Sequence, residues 1–401
     1  MKFQEMKIDH KILDAIRDMK FETPTEIQEK TLPAVLSGRD VIAQSMTGSG
    51  KTLVFGVPII QSIEHERGIQ ALVIAPTREL ADQISQEIRK ISKYKKVNIC
   101  EVFGGVSIEP QIASLRRADI VVGTPGRILD HMRRGTIFFK NLKMLVLDEA
   151  DRMLDMGFIE DIEDIIRNLP KKRQTMLFSA TIPDEIMRIV HRYMQNPEKI
   201  SAQKHVAKHL LKQYYYDIKG EYKISLVYNL LEKEKPDLAI VFCGTRATTD
   251  VVADNLQRLG VEAKAIHGGH QQSKRMRVLE GFHEGKVHVL VATDVAARGL
   301  DIKNVTHIFN FDVPKTVDEY THRIGRTARI GKEGKAISLL AKQDHEAFRK
   351  IANRFEIERS DPSVFKLESI PLYQRREGGF RRSYSGGRGP PRRGFGQRRR
   401  Y

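Results

Sequence analysis

Lysine and threonine directly after a glycine, Gly50-Lys51-Thr52, are residues with which a chain grips phosphate. They close the stretch Ser45-Met46-Thr47-Gly48-Ser49-Gly50-Lys51-Thr52, which follows the apolar run Val41 to Ala43 and precedes Leu53 to Ile63, a segment with the apolar content of a helix. A glycine-containing turn that opens a helix wraps phosphates in backbone N–H groups. Lys51 then pairs with the β and γ oxygens, and Thr52 holds magnesium. A second stretch supplies the complement. Met144 to Leu147 reads as an apolar strand that delivers Asp148 and Glu149 to its carboxyl end. Asp148 is placed to hold the metal, and Glu149 to orient and deprotonate an attacking water. An isolated acidic pair would read as a solvated turn; in this order behind a phosphate loop it reads as a site.

Ligands of open α/β sheets bind beyond the carboxyl ends of strands. Pro76-Thr77-Arg78-Glu79-Leu80, Thr124-Pro125-Gly126-Arg127 and Ser179-Ala180-Thr181 each directly follow an expected strand, so five polar clusters gather on one edge. Singly, Thr77, Thr124 and Ser179 read as turn or capping residues, and Arg78 and Arg127 as solvated cations. Further on, His322-Arg323-Ile324-Gly325-Arg326-Thr327-Ala328-Arg329 holds three arginines, two of them at i and i+3 and so expected on one helical face, whose guanidinium forks suit a phosphate in transit. Ala292 to Asp301 likewise follows a strand, Val287 to Val291, and puts polar groups at a strand end.

The elements that must carry these clusters are legible as a rhythm. Short apolar runs (Asp40 to Ala43, Ala71 to Ala75, Ile120 to Gly123, Met144 to Asp148, Met176 to Ser179) alternate with longer amphipathic stretches, which predicts βαβ units and a mostly parallel sheet. The rhythm restarts at Leu238 to Cys243, Ala263 to Ile266, Val287 to Ala292, Thr306 to Asn310 and Ala336 to Leu340. Between them, Asn196 to Lys212 is polar and basic, has Pro197 and no strand signal, and reads as a domain end plus connector. The expected organisation is a first domain over 1–203, a linker over 204–212, a second domain over 213–362 and an extension over 363–401. A length of 401 residues with 40% hydrophobic content fits two cores of roughly 150 to 200 residues each.

A net charge of +17 points to a polyanionic partner. The stretch Arg375 to Tyr401 has ten Arg and seven Gly against the single acid Glu377, so it supplies +9 of that charge and is expected to be disordered. Its arginines, interleaved with Phe380, Tyr384, Phe395 and Tyr401, read as a non-specific nucleic-acid tether, or else as a solvated, flexible end that contributes only solubility. Absence of Trp and only 7% aromatic residues favour gripping the sugar-phosphate backbone over stacking bases. Two distant cysteines, Cys100 and Cys243, suggest neither a disulfide framework nor a zinc site, and a reducing cytoplasm is the natural compartment. The charged N-terminus is unlike a secretory signal, and no apolar run approaches about 18 residues.

Taken in this order, the residues resemble the DEAD-box family of superfamily-two RNA helicases from Phe3 to Asp361. The literal Asp-Glu-Ala-Asp at 148 to 151, Ser-Ala-Thr at 179 to 181 and His-Arg-Ile-Gly-Arg-Thr-Ala-Arg at 322 to 329 carry the likeness. So does Phe21-Glu22-Thr23-Pro24-Thr25-Glu26-Ile27-Gln28, which is similar to the family's adenine-reading Q motif, placed within residues 1–29 and with Phe3 upstream. The resemblance implies two tandem RecA-like domains, ATP with magnesium, and RNA as partner. It implies that Gln28 reads adenine, with Phe21 and Thr23 beside the base, and that residues 45–52 cradle the phosphates. Asp301 would contact the ribose, and Arg326 and Arg329 would act as arginine fingers. Ser179 and Thr181 would couple hydrolysis to RNA. Pro76, Thr77, Arg78, Gly104, Gly105, Thr124, Gly126 and Arg127 resemble the RNA track of the first domain; Thr245, Arg246, Gly268, Gln272, Arg275, Thr293, Asp294 and Arg298 resemble that of the second.

Three positions depart from the family pattern, Lys20 for Gly, Ser45 for Ala or Gly and Phe311 for Tyr, and none removes a catalytic group. The implied activity is ATP hydrolysis coupled to local, sequence-independent duplex separation. An ATP-gated RNA clamp with weak unwinding stays open as the alternative, separable by strand displacement, and a DNA translocase is separable by comparing RNA and DNA stimulation.

Overall fold

The computed structural model describes residues 2–45, 48–202, 210–297, 305–328 and 333–370. Met46, Thr47, Arg298, Asp301 and Arg329, most of the expected linker and the arginine-rich tail lie outside the described residues.

Seven strands form the first sheet: β1 (Val41–Gln44), β2 (Ala71–Ile74), β3 (Ile99–Val102), β4 (Ile120–Gly123), β5 (Met144–Leu147), β6 (Gln174–Ser179) and β7 (Glu198–Ser201). Their order is β3-β4-β2-β5-β6-β1-β7, and every pair is parallel. The second sheet repeats the plan with β8 (Leu211–Asp217), β9 (Ala239–Cys243), β10 (Ala263–Ile266), β11 (Val289–Thr293), β12 (His307–Asn310), β13 (Gly334–Leu340) and β14 (Glu358–Ser360), in the order β10-β11-β9-β12-β13-β8-β14. Central strands such as Ala71–Ile74 are apolar and buried throughout because helices cover both faces. Alternate residues feed two cores: Val73 and Val146 join Val54 and Ile88 on one face, Leu72 and Leu145 join Ile128 and Ile165 on the other.

All the expected strands form, within a residue or two at their ends. The stretch 196–212 needs correction. Read as strandless, it contains β7 and the start of β8. β7 pairs only with β1, placing Glu198 opposite Val41, and buries Ile200 while its other positions meet solvent. An edge strand of this kind carries charge and lacks an apolar run. Strands β3, β8 and β14, also absent from the sequence reading, lie at or next to sheet edges. Beyond β14 the chain stays packed: Phe365, Leu367 and Ile370 lie against the second domain's core, and the Glu368 N–H donates to Ser225 Oγ at 3.1 Å.

Because both sheets are parallel, the carboxyl ends of the strands share one edge in each domain. The loops that end there hold the polar clusters.

Candidate active site and nucleic-acid track

The phosphate loop leaves β1 and enters the helix Lys51–Ser62 through two glycines with left-handed backbone, Gly48 at φ +78° and Gly50 at φ +89°. A side chain at Gly50 would strike Gln28, whose Nε2 lies 2.4 Å from the place its Cβ would occupy. That proximity is functional geometry: Gln28 Nε2 donates to Gly50 O at 3.0 Å, and Thr25 Oγ1 donates to Ser49 O at 2.8 Å. Thr25 N–H donates to Gln28 Oε1 at 2.8 Å, so one amide side chain caps its own helix and braces the loop. Phe21 and Thr23 remain exposed nearby in sequence, while Ser45 is buried and its hydroxyl meets Ser49 Oγ at 3.2 Å.

Lys51 Nζ sits 3.5 Å from Asp148 Oδ1, both side chains almost fully buried. Burial raises the Asp148 carboxyl above the usual range, with Lys51 opposing. Glu149 takes a left-handed backbone, φ 53° and ψ 54°, which costs a non-glycine residue about 1 to 3 kcal/mol and turns its side chain off the strand axis. Its Oε2 pairs with Arg152 Nη1 at 3.2 Å, and its Oε1 is buried without a hydrogen-bond partner. Burial pushes the Glu149 carboxyl up. The cations Arg152, Lys51 and, from the second domain, Arg326 outweigh it and hold the group below the usual glutamate range. An ionised carboxylate with one free oxygen is what a base aimed at water requires. The threonine hydroxyl and carboxylate oxygens offered by Thr52 and Asp148 are hard donors, of the kind magnesium takes.

Arg326 is 3% exposed and follows the helix Val317–Ile324, which Gly325 caps. The expectation that the arginines share one helical face is therefore corrected. Arg323 lies on the helix, and its guanidinium forks onto Asp294 at 2.7 Å through Nε and Nη2 while also bonding Asn310 and the Asp312 carbonyl. Arg326 lies in the turn beyond, freed from the helix to face the other domain. The Asp294 carboxylate is thus spent on Arg323.

Asp151, the fourth residue of the acidic stretch, gathers Ser179 and Thr181. Its Oδ2 accepts from Ala180 N at 3.1 Å, Thr181 N at 2.8 Å and Thr181 Oγ1 at 3.2 Å, and its own N–H donates to Ser179 Oγ at 3.0 Å. From the second domain, His322 Nε2 comes within 3.9 Å of the same oxygen.

Several described residues of the expected nucleic-acid track stand in the loops or helix starts that follow strands. Thr77 and Thr245 are equivalent caps, accepting from Leu80 N at 3.3 Å and Thr248 N at 3.0 Å. Arg78 donates to Gly104 O at 3.1 Å and stacks over Phe103, and Arg127 donates to Val106 O at 3.2 Å. Pro76 is buried and Thr124 precedes the helix Pro125–Arg133 without a capping bond of its own. Arg246 passes Gly268, with Nη2 3.5 Å from where a Cβ would stand there. Across the domains, Glu79 Oε1 accepts from Gln272 Nε2 at 2.7 Å and pairs with Arg275 Nη2 at 2.9 Å.

The family model described as DEAD/DEAH box helicase matches residues 25–189, and the one described as helicase conserved C-terminal domain matches residues 222–331. The chain belongs to the DEAD/DEAH box helicase family. It is 50% identical over 342 residues to the ATP-dependent RNA helicase CshA of Listeria monocytogenes, covering 84% of this chain and 66% of that protein. It is 47% identical over 345 residues to the DEAD-box ATP-dependent RNA helicase CshA of Geobacillus kaustophilus, covering 85% and 74%. Among solved structures, Saccharomyces cerevisiae Dbp5 bound to RNA and ADP BeF3 is 32% identical, with a TM-score of 0.80 over 90% of this chain and 95% of that one. A DEAD box protein from Methanococcus jannaschii is 40% identical over 90% and 99%, yet its TM-score is 0.55. The more similar sequence superposes less well. In this DEAD-box chain, Glu79 and Asp151 make contacts from the first domain to the second.

Glu79, Asp151, Arg152 and His322 are the site residues the sequence reading left without roles in this DEAD-box chain. Glu79 immediately follows Arg78, and the i, i+3 spacing of Glu149 and Arg152 at the start of a short helix was an available signal. Among the described residues, no helix is long and apolar enough to cross a membrane.

Proposed function

We propose that this chain is an RNA-stimulated ATPase that separates short RNA duplexes, or remodels ribonucleoproteins, without reading base sequence, and that it works in the cytoplasm. The observation that carries this reading is that second-domain residues reach the polar edge of the first domain: His322, in the same segment as Arg326, brings Nε2 to 3.9 Å from Asp151 Oδ2, and Gln272 Nε2 donates to Glu79 Oε1 at 2.7 Å. A site so divided is complete only when the domains close.

Gln28, Phe21 and Thr23 take the adenine, and residues 45–52 take the phosphates. Thr52 and Asp148 hold magnesium, which neutralises phosphate charge when bound. Glu149 orients a water through its free oxygen, removes the proton, and directs the hydroxyl in line at the γ-phosphorus. Arg326, joined by Arg329, meets the charge on the transferring phosphoryl group; Asp301 holds the ribose. Asp151 ties the Ser179 and Thr181 loop to the residue beside the base, so a change at the phosphates reaches the RNA side. RNA lies over Pro76, Thr77, Arg78, Gly104, Gly105, Thr124, Gly126 and Arg127 of one domain. In the other it meets Thr245, Arg246, Gly268, Gln272, Arg275, Thr293, Asp294 and Arg298. ATP and RNA bind cooperatively because each favours the closed state. Two buried, unpaired cysteines are compatible with a reducing compartment.

The deciding experiment measures ATP hydrolysis with single-stranded RNA, with DNA of the same sequence, and without nucleic acid, alongside displacement of a short RNA duplex. Stimulation by RNA alone with ATP-dependent displacement is expected. Stimulation without displacement would leave an ATP-gated clamp, and equal stimulation by DNA would overturn the substrate class.

A further inference from the structure

The loop 103–107 between β3 and the helix Glu109–Leu115 has nearly all its carbonyls turned toward the protein. Arg78 donates to Gly104 O at 3.1 Å and Arg127 to Val106 O at 3.2 Å. The carbonyls at either end, Phe103 O and Ser107 O, share a single donor group: Gln111 Nε2 reaches them at 3.1 and 3.5 Å. Meanwhile, among the described residues, the N–H groups of Gly104, Gly105 and Val106 donate to no backbone carbonyl. Gly105 makes the turn possible with φ +78°. A loop whose carbonyls are drawn inward presents successive N–H groups outward, which is the form of an anion-binding nest.

Gln111 is 7% exposed, and with its amide N–H groups spent on the loop, its Oε1 can only accept. The partner it meets is His131 Nε2 at 3.2 Å, which must therefore carry the proton. His131 is fully buried on the helix Pro125–Arg133, and its other nitrogen, Nδ1, lies 2.7 Å from Thr136 Oγ1. Burial, with Arg127 and Arg134 nearby, holds the imidazole below its ordinary pKa, so it stays neutral and keeps one defined tautomer. A chain of hydrogen bonds thus runs from Thr136 through His131 and Gln111 to both ends of the loop.

We propose that Gln111 and His131 are positioning residues for RNA phosphate: they touch no ligand, and act by holding the 103–107 carbonyls inward so that the loop's N–H groups meet the backbone of the strand. This rests on the RNA track assigned above, and it adds two buried side chains that the track depends on. It also accounts for a buried histidine and glutamine next to Arg127, whose Nη1 is itself buried without a partner.

The test uses the full chain with single-stranded poly(U) RNA. Gln111→Glu keeps the size but replaces the donor group with an acceptor facing two carbonyls; His131→Leu removes the N–H that orients Gln111, and His131→Gln retains one. Gln111→Glu and His131→Leu should raise the half-saturating RNA concentration about tenfold, the scale of one lost buried hydrogen bond. Turnover at saturating RNA and the half-saturating ATP concentration should stay within about twofold of the parent, and His131→Gln should recover most of the RNA affinity. Unchanged RNA dependence in folded Gln111→Glu, or a matched loss of saturated turnover, would overturn the proposal. Should His131→Leu fail to fold, the contrast of Gln111→Glu with His131→Gln still decides. Arg127→Ala separates the two levels: an RNA defect there with none at Gln111 refutes the brace alone, whereas no defect at either refutes the track.

Discussion

Gln272 of the second domain donates a hydrogen bond from Nε2 to Oε1 of Glu79 in the first, at 2.7 Å. Glu79 is 4% exposed and immediately follows Arg78 of the nucleic-acid track, and it also holds Arg275 at 2.9 Å. A buried carboxylate bound by two residues of the other domain is a latch that exists only when the cleft is shut.

Glu79→Ala should therefore weaken closure without touching either ligand. RNA affinity measured without nucleotide should be near that of the parent, while the gain in RNA affinity from a non-hydrolysable ATP analogue should shrink by about 5- to 150-fold, the usual range of coupling between sites. Fluorescence anisotropy with labelled RNA, with and without the analogue, reads both quantities. An undiminished gain would show that the latch contributes nothing to coupling.

Glu149→Gln keeps the side chain's shape and its place beside Arg152 but removes the base. Turnover should drop by on the order of 10² to 10⁴, with RNA binding in ATP retained or tighter, since the closed complex forms and cannot proceed. Loss of RNA binding along with turnover would make Glu149 a structural residue.

Arg326→Ala should lower turnover by on the order of 10³ to 10⁵ with a much smaller change in the half-saturating ATP concentration. Arg326 stands in the second domain, apart from the phosphate loop of the first, and on the proposed assignment serves only the charge that develops after closure. Steady-state kinetics at saturating RNA settle it. Parent-like turnover would refute the assignment.

Removing Arg375 to Tyr401 deletes ten cations and no residue of either sheet. Log affinity for single-stranded RNA falls with log salt by about 0.7 per neutralised phosphate, so even three or four engaged arginines should change the slope by about 2 to 3. Half-saturating RNA should rise and saturated turnover stay level. An identical salt slope would mean that the tail does not touch RNA; collapse of saturated turnover would place it in the catalytic machinery.

The sequence by itself determined the two parallel sheets, because strands buried on both faces must be continuous runs of Val, Ile and Leu, and such runs are visible wherever they occur. It also determined where the chemistry gathers: in a parallel sheet the carboxyl ends share an edge, so Lys51, Asp148 and Ser179 converge whatever the loops do. Only the tertiary structure could decide the rest. The edge strand Glu198–Ser201 is stabilised by backbone pairing to β1 and carries almost no apolar signal of its own. Arg326 leaves the helical face its spacing suggests because Gly325 ends the helix first. Glu79 met Gln272, and His322 approached Asp151, only because two independently folded domains came together. Such contacts follow from the docking of surfaces, which no local pattern along the chain records.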